Sequence, residues 1–131
     1  MNRPIRVLLA KPGLDGHSRG IYVILDALKN AGMEVVFAGL RRRPEEIAKA
    51  AVEEDVDVVG LSCLSGAHVS LFPETARLIR KELGDRVLLI CGGIIPDEDH
   101  AALKEAGFAA IYGPGADTRE IAEFIRRNVR K

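Results

Sequence analysis

Five short, almost wholly apolar runs recur along the chain, each followed by a longer segment of helical periodicity. The runs are Ile5–Ala10, Glu34–Ala38, Val56–Leu61, Arg86–Cys91 and Ala109–Tyr112. Runs of this length without alternating polar positions read as strands buried on both faces, and such strands form parallel sheets with helices on either side. Between the first two runs, Ile21, Ile24, Leu25 and Leu28 repeat at helical spacing within a helix over 19–31, which Gly32 stops. A second helix opens on Pro44-Glu45-Glu46, with proline at its first position and acids at its positive end. A third runs over His68–Leu83, Asp97 caps a fourth that ends near Gly107, and Asp117 with Glu120 forms a capping box for the last. The expected fold is α/β: a flavodoxin-like (Rossmann-type), doubly wound, five-stranded parallel sheet in the order 2-1-3-4-5, built by residues 1–131 as a single domain.

Bulk properties exclude several functions. Acidic and basic residues balance at 19 each, so no net field draws the chain to nucleic acid or to an anionic membrane. No stretch approaches the roughly 20 apolar residues that span a bilayer. The first apolar run is too short for a secretory leader, and the two cysteines, Cys63 and Cys91, form no C-x-x-C pair. A reducing cytoplasm is the expected setting.

In open α/β sheets ligands bind beyond the carboxyl ends of the strands, near the switch in strand order. The loops on that edge read Lys11-Pro-Gly-Leu-Asp15-Gly16-His17-Ser18-Arg19-Gly20, Ser62-Cys-Leu64-Ser65-Gly-Ala-His68, Gly92-Gly93-Ile-Ile-Pro96 and Gly113-Pro-Gly115. Connections on the opposite edge are plainer turns, so small residues crowd one rim, where a large ligand can approach the backbone. In the first loop His17 follows Asp15 by two residues. One imidazole nitrogen can face outward to a metal while the other donates to a carboxylate, which fixes the tautomer. Lys11 can hold that carboxylate from its far side. Zinc is a poor match, because it needs three or four ligands and His68 is the only other histidine on this rim.

Taken together, Asp15-Gly-His17-Ser-Arg-Gly20, Ser62-Cys-Leu64 and Gly92-Gly93 resemble the D-x-H-x-x-G, S-x-L and G-G hallmarks of domains that bind cobalamin base-off. The longer pattern, with G-G-x-I-P and Tyr112-Gly113-Pro-Gly, is similar to the acyl-CoA mutase branch, above all methylmalonyl-CoA mutase, and covers essentially the whole chain. Two features depart from that branch: where it usually reads S-x-L-A-A-G-H, this chain has Ser65-Gly66-Ala67 between Leu64 and His68, with the glycine moved by one position, and Ala116 stands where it usually has threonine. The resemblance implies adenosylcobalamin as cofactor, with His17 as lower ligand to cobalt, Asp15 bonded to its imidazole and Lys11 supporting Asp15. It implies a channel for the displaced nucleotide tail lined by Ser62 and Leu64, with Gly92 and Gly93 leaving room and Tyr112 and Gly113 near its end. Gly16, Ser18, Arg19, Gly20 and Ser65 complete the implied cofactor-binding set.

A mutase also needs a TIM barrel to hold acyl-CoA, which this length cannot supply. The resemblance therefore implies a separate large subunit as partner, a radical 1,2-rearrangement performed jointly, and no turnover by this chain alone. Two other readings stand beside it. Corrinoid carriers for methyl transfer resemble this sequence too, but place a helical cap before the sheet, whereas the first strand here is expected from Ile5. A phosphorelay receiver would need an acidic pair, an aspartate and a lysine where this chain has Lys11-Pro12, Ser62-Cys63 and Gly113-Pro114. Among lesser features, Arg41-Arg42-Arg43 reads as a solvated loop and His100 as an ordinary first-turn helix residue. Cys63 and Cys91 read as buried thiols, and Phe72 and Pro73 as residues that position the third helix.

Overall fold

A computed structural model of the protein describes residues 4–11, 19–39, 42–63, 68–113 and 115–129. The strands are β1 (Arg6–Ala10), β2 (Glu34–Phe37), β3 (Val58–Cys63), β4 (Leu88–Gly93) and β5 (Phe108–Tyr112). The helices are α1 (Arg19–Asn30), α2 (Pro44–Glu53), α3 (His68–Leu83), α4 (His100–Glu105) and α5 (Thr118–Asn128). All strand pairs are parallel, in the order β2-β1-β3-β4-β5. The expected five-stranded flavodoxin-like sheet is what the chain builds.

Several boundaries differ from the sequence reading. β3 starts at Val58 and β4 at Leu88, two residues later than expected in each case, because Asp57 and Arg86 are spent on turns. The Asp57 carboxylate accepts the Arg6 N–H at 2.9 Å, and Arg86 closes a 3₁₀ turn begun by Gly84. Asp97 does not cap α4: it opens a 3₁₀ turn over Asp97–Asp99, and α4 begins only at His100. At α5 the N-cap is real, with Asp117 Oδ1 accepting the Arg119 N–H at 2.9 Å. Glu46 does the corresponding job for α2 by accepting the Arg43 N–H at 2.9 Å.

Residue parity along the strands divides the core into two layers. Leu8, Val59, Leu61 and Leu89 face α2, α3 and α4, where Ile47, Phe72, Ile79 and Leu103 are fully buried. Phe72 stacks against Phe108 there, 5.8 Å between ring centroids. Val7, Leu9, Val58 and Ile90 face α1 and α5, against Ile21, Leu28, Ile121 and Ile125. A register shift between β4 and β5 leaves Ala109 unpaired with β4: Leu89 pairs with Phe108, but Ile90 pairs with Ala110. The extra residue reverses parity within β5, so Phe108 joins the first layer while Ala110 and Tyr112 join the second.

Candidate functional site

The second layer is not filled to the carboxyl edge of the sheet. Between the strand ends, α1 and α5 lies a cavity of about 390 Å³. β1 contributes Leu9 and Lys11, β3 contributes Gly60, Leu61 and Ser62, and β4 contributes Ile90 through Gly93. Tyr112, Gly113, Gly115 and Ala116 line it as well. α1 closes one side with Gly20, Ile21, Val23 and Ile24, and α5 the other with Thr118 and Ile121. The walls are largely aliphatic, with few polar groups among them. Such a slot suits an elongated ligand that is apolar along most of its length.

Glycines shape the slot in two ways. Gly60 and Gly92 share the parity of Val58 and Ile90, so bare backbone replaces side chains beneath the space between α1 and α5. A Cβ on Gly60 would stand 2.9 Å from Leu9 Cδ2, and one on Gly92 would stand 2.9 Å from the Tyr112 carbonyl oxygen. Gly93 has φ +125°, and a Cβ there would collide with the Cys63 carbonyl. The sheet itself thus demands glycine at Gly92 and Gly93, besides any room they leave for a ligand. At Gly20 and Gly113, by contrast, a Cβ would meet nothing within 4 Å. Those two positions are an open lip.

Lys11 is the most unusual side chain in the site. It is only 1% exposed although lysine normally reaches water. Its Nζ lies 3.4 Å from the carbonyl oxygen of Ser62. Two further groups carry shifted acidities. Burial pushes the Cys91 thiol up to about 12, with Lys104 pulling weakly the other way, so Cys91 is a neutral wall and no nucleophile. Partial burial, reinforced by the Glu120 carboxylate, raises the Tyr112 phenol above its ordinary value.

Of the residues singled out from sequence, Lys11, Gly20, Ser62, Gly92, Gly93, Tyr112 and Gly113 come together around this slot. Arg19 and His68 are placed as the first residues of α1 and α3. Asp15, Gly16, His17, Ser18, Leu64 and Ser65 lie outside the described residues, as does Arg41. Lys11 and Gly20, which flank the segment carrying Asp15 and His17, both line the slot. Sequence reasoning missed Gly60, Leu9 and the isoleucines of α1, β4 and α5. The signal for Gly60 was present: a lone glycine inside a fully buried strand marks close approach of something to the backbone.

Lesser expectations resolve as ordinary structure. Arg42 Nε donates to the Ala38 carbonyl at 2.7 Å, and His100 Nε2 sits 3.3 Å from the Ile95 carbonyl at the start of α4. Cys63 and Cys91 are buried thiols outside any disulfide, on adjacent strands and two positions out of register. Among the described residues no cluster of three or more histidine, cysteine or acidic side chains is placed to hold a metal ion. Nor is any described helix long and apolar enough to cross a membrane.

A parallel five-stranded sheet with a glycine-floored slot at its carboxyl edge, wedged between the first and last helices, defines a ligand-binding α/β domain of the flavodoxin-like class. Within that class the chain belongs to the B12 binding domain family, whose profile matches residues 5–123. The 2-hydroxyisobutanoyl-CoA mutase small subunit of Aquincola tertiaricarbonis is 45% identical over 123 residues, 94% of this chain and 90% of that protein. The pivalyl-CoA mutase small subunit of Xanthobacter autotrophicus is 40% identical, over 94% of this chain and 82% of that protein. The methylmalonyl-CoA mutase of Rhizobium meliloti is 39% identical, but the chain spans only 18% of its length. Among solved structures, a cobalamin-binding protein from Desulfitobacterium hafniense superposes with TM-score 0.82 at 20% identity, covering 95% of this chain and 59% of that one. A response regulator from Thermotoga maritima superposes with TM-score 0.71 at 17% identity, over 95% of this chain and 97% of that one. At these identities both likenesses concern the fold alone. A receiver places a phosphorylatable aspartate after its third strand, and β3 here ends on Ser62-Cys63.

Proposed function

We propose that this chain is the cobalamin-binding small subunit of an acyl-CoA mutase, taking adenosylcobalamin base-off with His17 as the lower ligand to cobalt. The observation that carries this reading is the slot: an aliphatic cleft at the carboxyl edge, flanked by the two ends of the segment that bears Asp15 and His17. The residues fit the group. The displaced nucleotide tail ends in an apolar benzimidazole ring, for which the aliphatic walls and the bare-backbone floor at Gly60 and Gly92 leave room, while Ser62, Thr118 and Tyr112 offer polar partners to its ribose and phosphate. That the small-subunit relatives are matched over nearly their whole length supports a chain that works as a separate subunit.

In this reading the aliphatic walls from Leu9, Ile21, Ile24, Ile90 and Ile121 exclude water from the ring of the tail, while Ser62, Thr118 and Tyr112 bring hydroxyls to the lining. His17 would hold the cobalt through one imidazole nitrogen, and Asp15 would accept from the other and so keep the first free to coordinate. Adenosylcobalamin, when bound, supplies a cobalt–carbon bond that breaks homolytically and so starts a 1,2-rearrangement of the acyl-CoA. The protein contributes binding, orientation and axial ligation. A large TIM-barrel subunit carries the acyl-CoA, so the small chain by itself turns nothing over. Methylmalonyl-CoA is the first substrate to assay, followed by 2-hydroxyisobutanoyl-CoA and pivalyl-CoA, which appear in the names of the small-subunit relatives. The proposed setting is the cytoplasm, in keeping with two buried thiols outside any disulfide.

The test is spectroscopic. Purified chain loaded with cob(II)alamin is expected to show nitrogen superhyperfine structure in its EPR spectrum, and His17→Ala is expected to abolish it. Splitting that persists in the variant would remove His17 as ligand, and no corrinoid uptake by the wild type would remove the whole reading.

A further inference from the structure

Lys11 stands where the β1–β3 ladder stops. Its backbone groups bond on the β2 side, as Leu9 does: the Lys11 N–H donates to the Gly39 carbonyl at 3.4 Å, and the Lys11 carbonyl accepts the Arg42 N–H at 3.1 Å. The last β1–β3 pair is Ala10 with Leu61. On its other side β3 stays paired with β4 through Ser62 with Gly92 and Cys63 with Gly93. The end of β3 therefore continues past its neighbour β1, and it is there that the Ser62 carbonyl accepts from Lys11 Nζ at 3.4 Å. A side-chain ammonium takes over where backbone pairing ends. Because the lysine is 1% exposed, its normally mobile stem is fixed along the slot.

We propose that Lys11 is a positioning residue that fastens the carboxyl end of β3 to that of β1, and so sets the width of the slot's mouth before any ligand enters. The inference rests on the slot being the seat of a corrinoid's nucleotide tail, and it adds a task distinct from any support of Asp15. A fastened mouth acts on the tail, whereas support of Asp15 acts on the metal end. Preordering the mouth removes an ordering cost that the tail would otherwise meet on binding. Corrinoids with and without a tail therefore separate the two tasks.

Lys11→Met keeps most of the stem's bulk and removes the donor. Wild type and variant are titrated with aquacobalamin and with aquacobinamide, which lacks the nucleotide. The variant is expected to weaken cobalamin binding by about tenfold more than cobinamide binding; equal losses, or a greater loss for cobinamide, overturn the proposal. Amide hydrogen exchange on the cofactor-free chain supplies a second arm. The Ile94 N–H, which donates to the Cys63 carbonyl at 3.3 Å, reports on the end of β3. It is expected to be protected in the wild type and to exchange about tenfold faster in Lys11→Met, with mid-strand Leu89 and Ile90 unchanged. An unprotected Ile94 amide in the wild type overturns the proposal without recourse to the variant. If the wild type takes up no corrinoid, the reading of the slot fails on its own, and the exchange arm still decides whether Lys11 fastens the mouth.

Discussion

A Cβ on Gly93 would strike the carbonyl oxygen of Cys63 across the β3–β4 pair, at a residue whose φ is already +125°. The glycine pair after β4 is thus fixed by the sheet as well as by whatever occupies the slot. Gly93→Ala is expected to destabilise the cofactor-free chain by about 2–4 kcal/mol, combining left-handed strain with overpacking. Urea unfolding without corrinoid measures this, and an unchanged midpoint would mean that Gly93 serves the ligand alone.

Gly113 should behave oppositely. A Cβ there meets nothing within 4 Å, so Gly113→Val is expected to leave stability within about 1 kcal/mol. The same substitution narrows the lip, and corrinoid affinity is expected to fall by about tenfold or more. Equilibrium dialysis of the variant against wild type reads the second effect, and circular dichroism melting the first.

Cys91 sets an alkaline limit. Its folded thiol titrates near 12, against an ordinary value of 9.0. Above pH 9 the unfolded chain loses a proton that the folded chain keeps, so stability is full below 9 and declines as pH climbs toward 12. Cys91→Ala is expected to be less stable at neutral pH but to show a flatter decline over that window. Parallel declines in wild type and variant would show that another group is responsible. Native Cys91 should also resist alkylation at pH 8 until the chain is unfolded.

Dependence on a partner has a direct assay. The purified chain with adenosylcobalamin and acyl-CoA is expected to give no turnover, and adding a mutase large subunit is expected to restore it. Turnover without that addition would contradict the division of labour proposed here.

Much of this was readable in the residues, for identifiable reasons. Strands buried on both faces leave an unmistakable pattern, and Pro44, Gly32 and Asp117 punctuate the helices by local chemistry that tertiary context did not override. The loops of the carboxyl edge were legible because strand order alone dictates which connections share it. What escaped depended on relations between elements. Asp97 looked like a cap, but the chain spends one 3₁₀ turn there before α4 can begin. Tyr112 was named from the resemblance, but the irregularity at Ala109 that reverses the parity of β5 and turns it to the slot was not foreseen. The apolar stripes of α1 and α5 were visible, yet nothing in either periodicity reveals that the two helices leave the sheet's end uncovered between them.

That incomplete closure implies an asymmetry in what the molecule tolerates. The layer under α2, α3 and α4 is a self-sufficient foundation, with Ile47, Phe72, Ile79 and Leu103 sealed from solvent whether or not anything lies across the sheet. Drift in α1 or α5 can therefore retune the berth for a differently built guest, while errors under α3 threaten the chain's existence as a folded body.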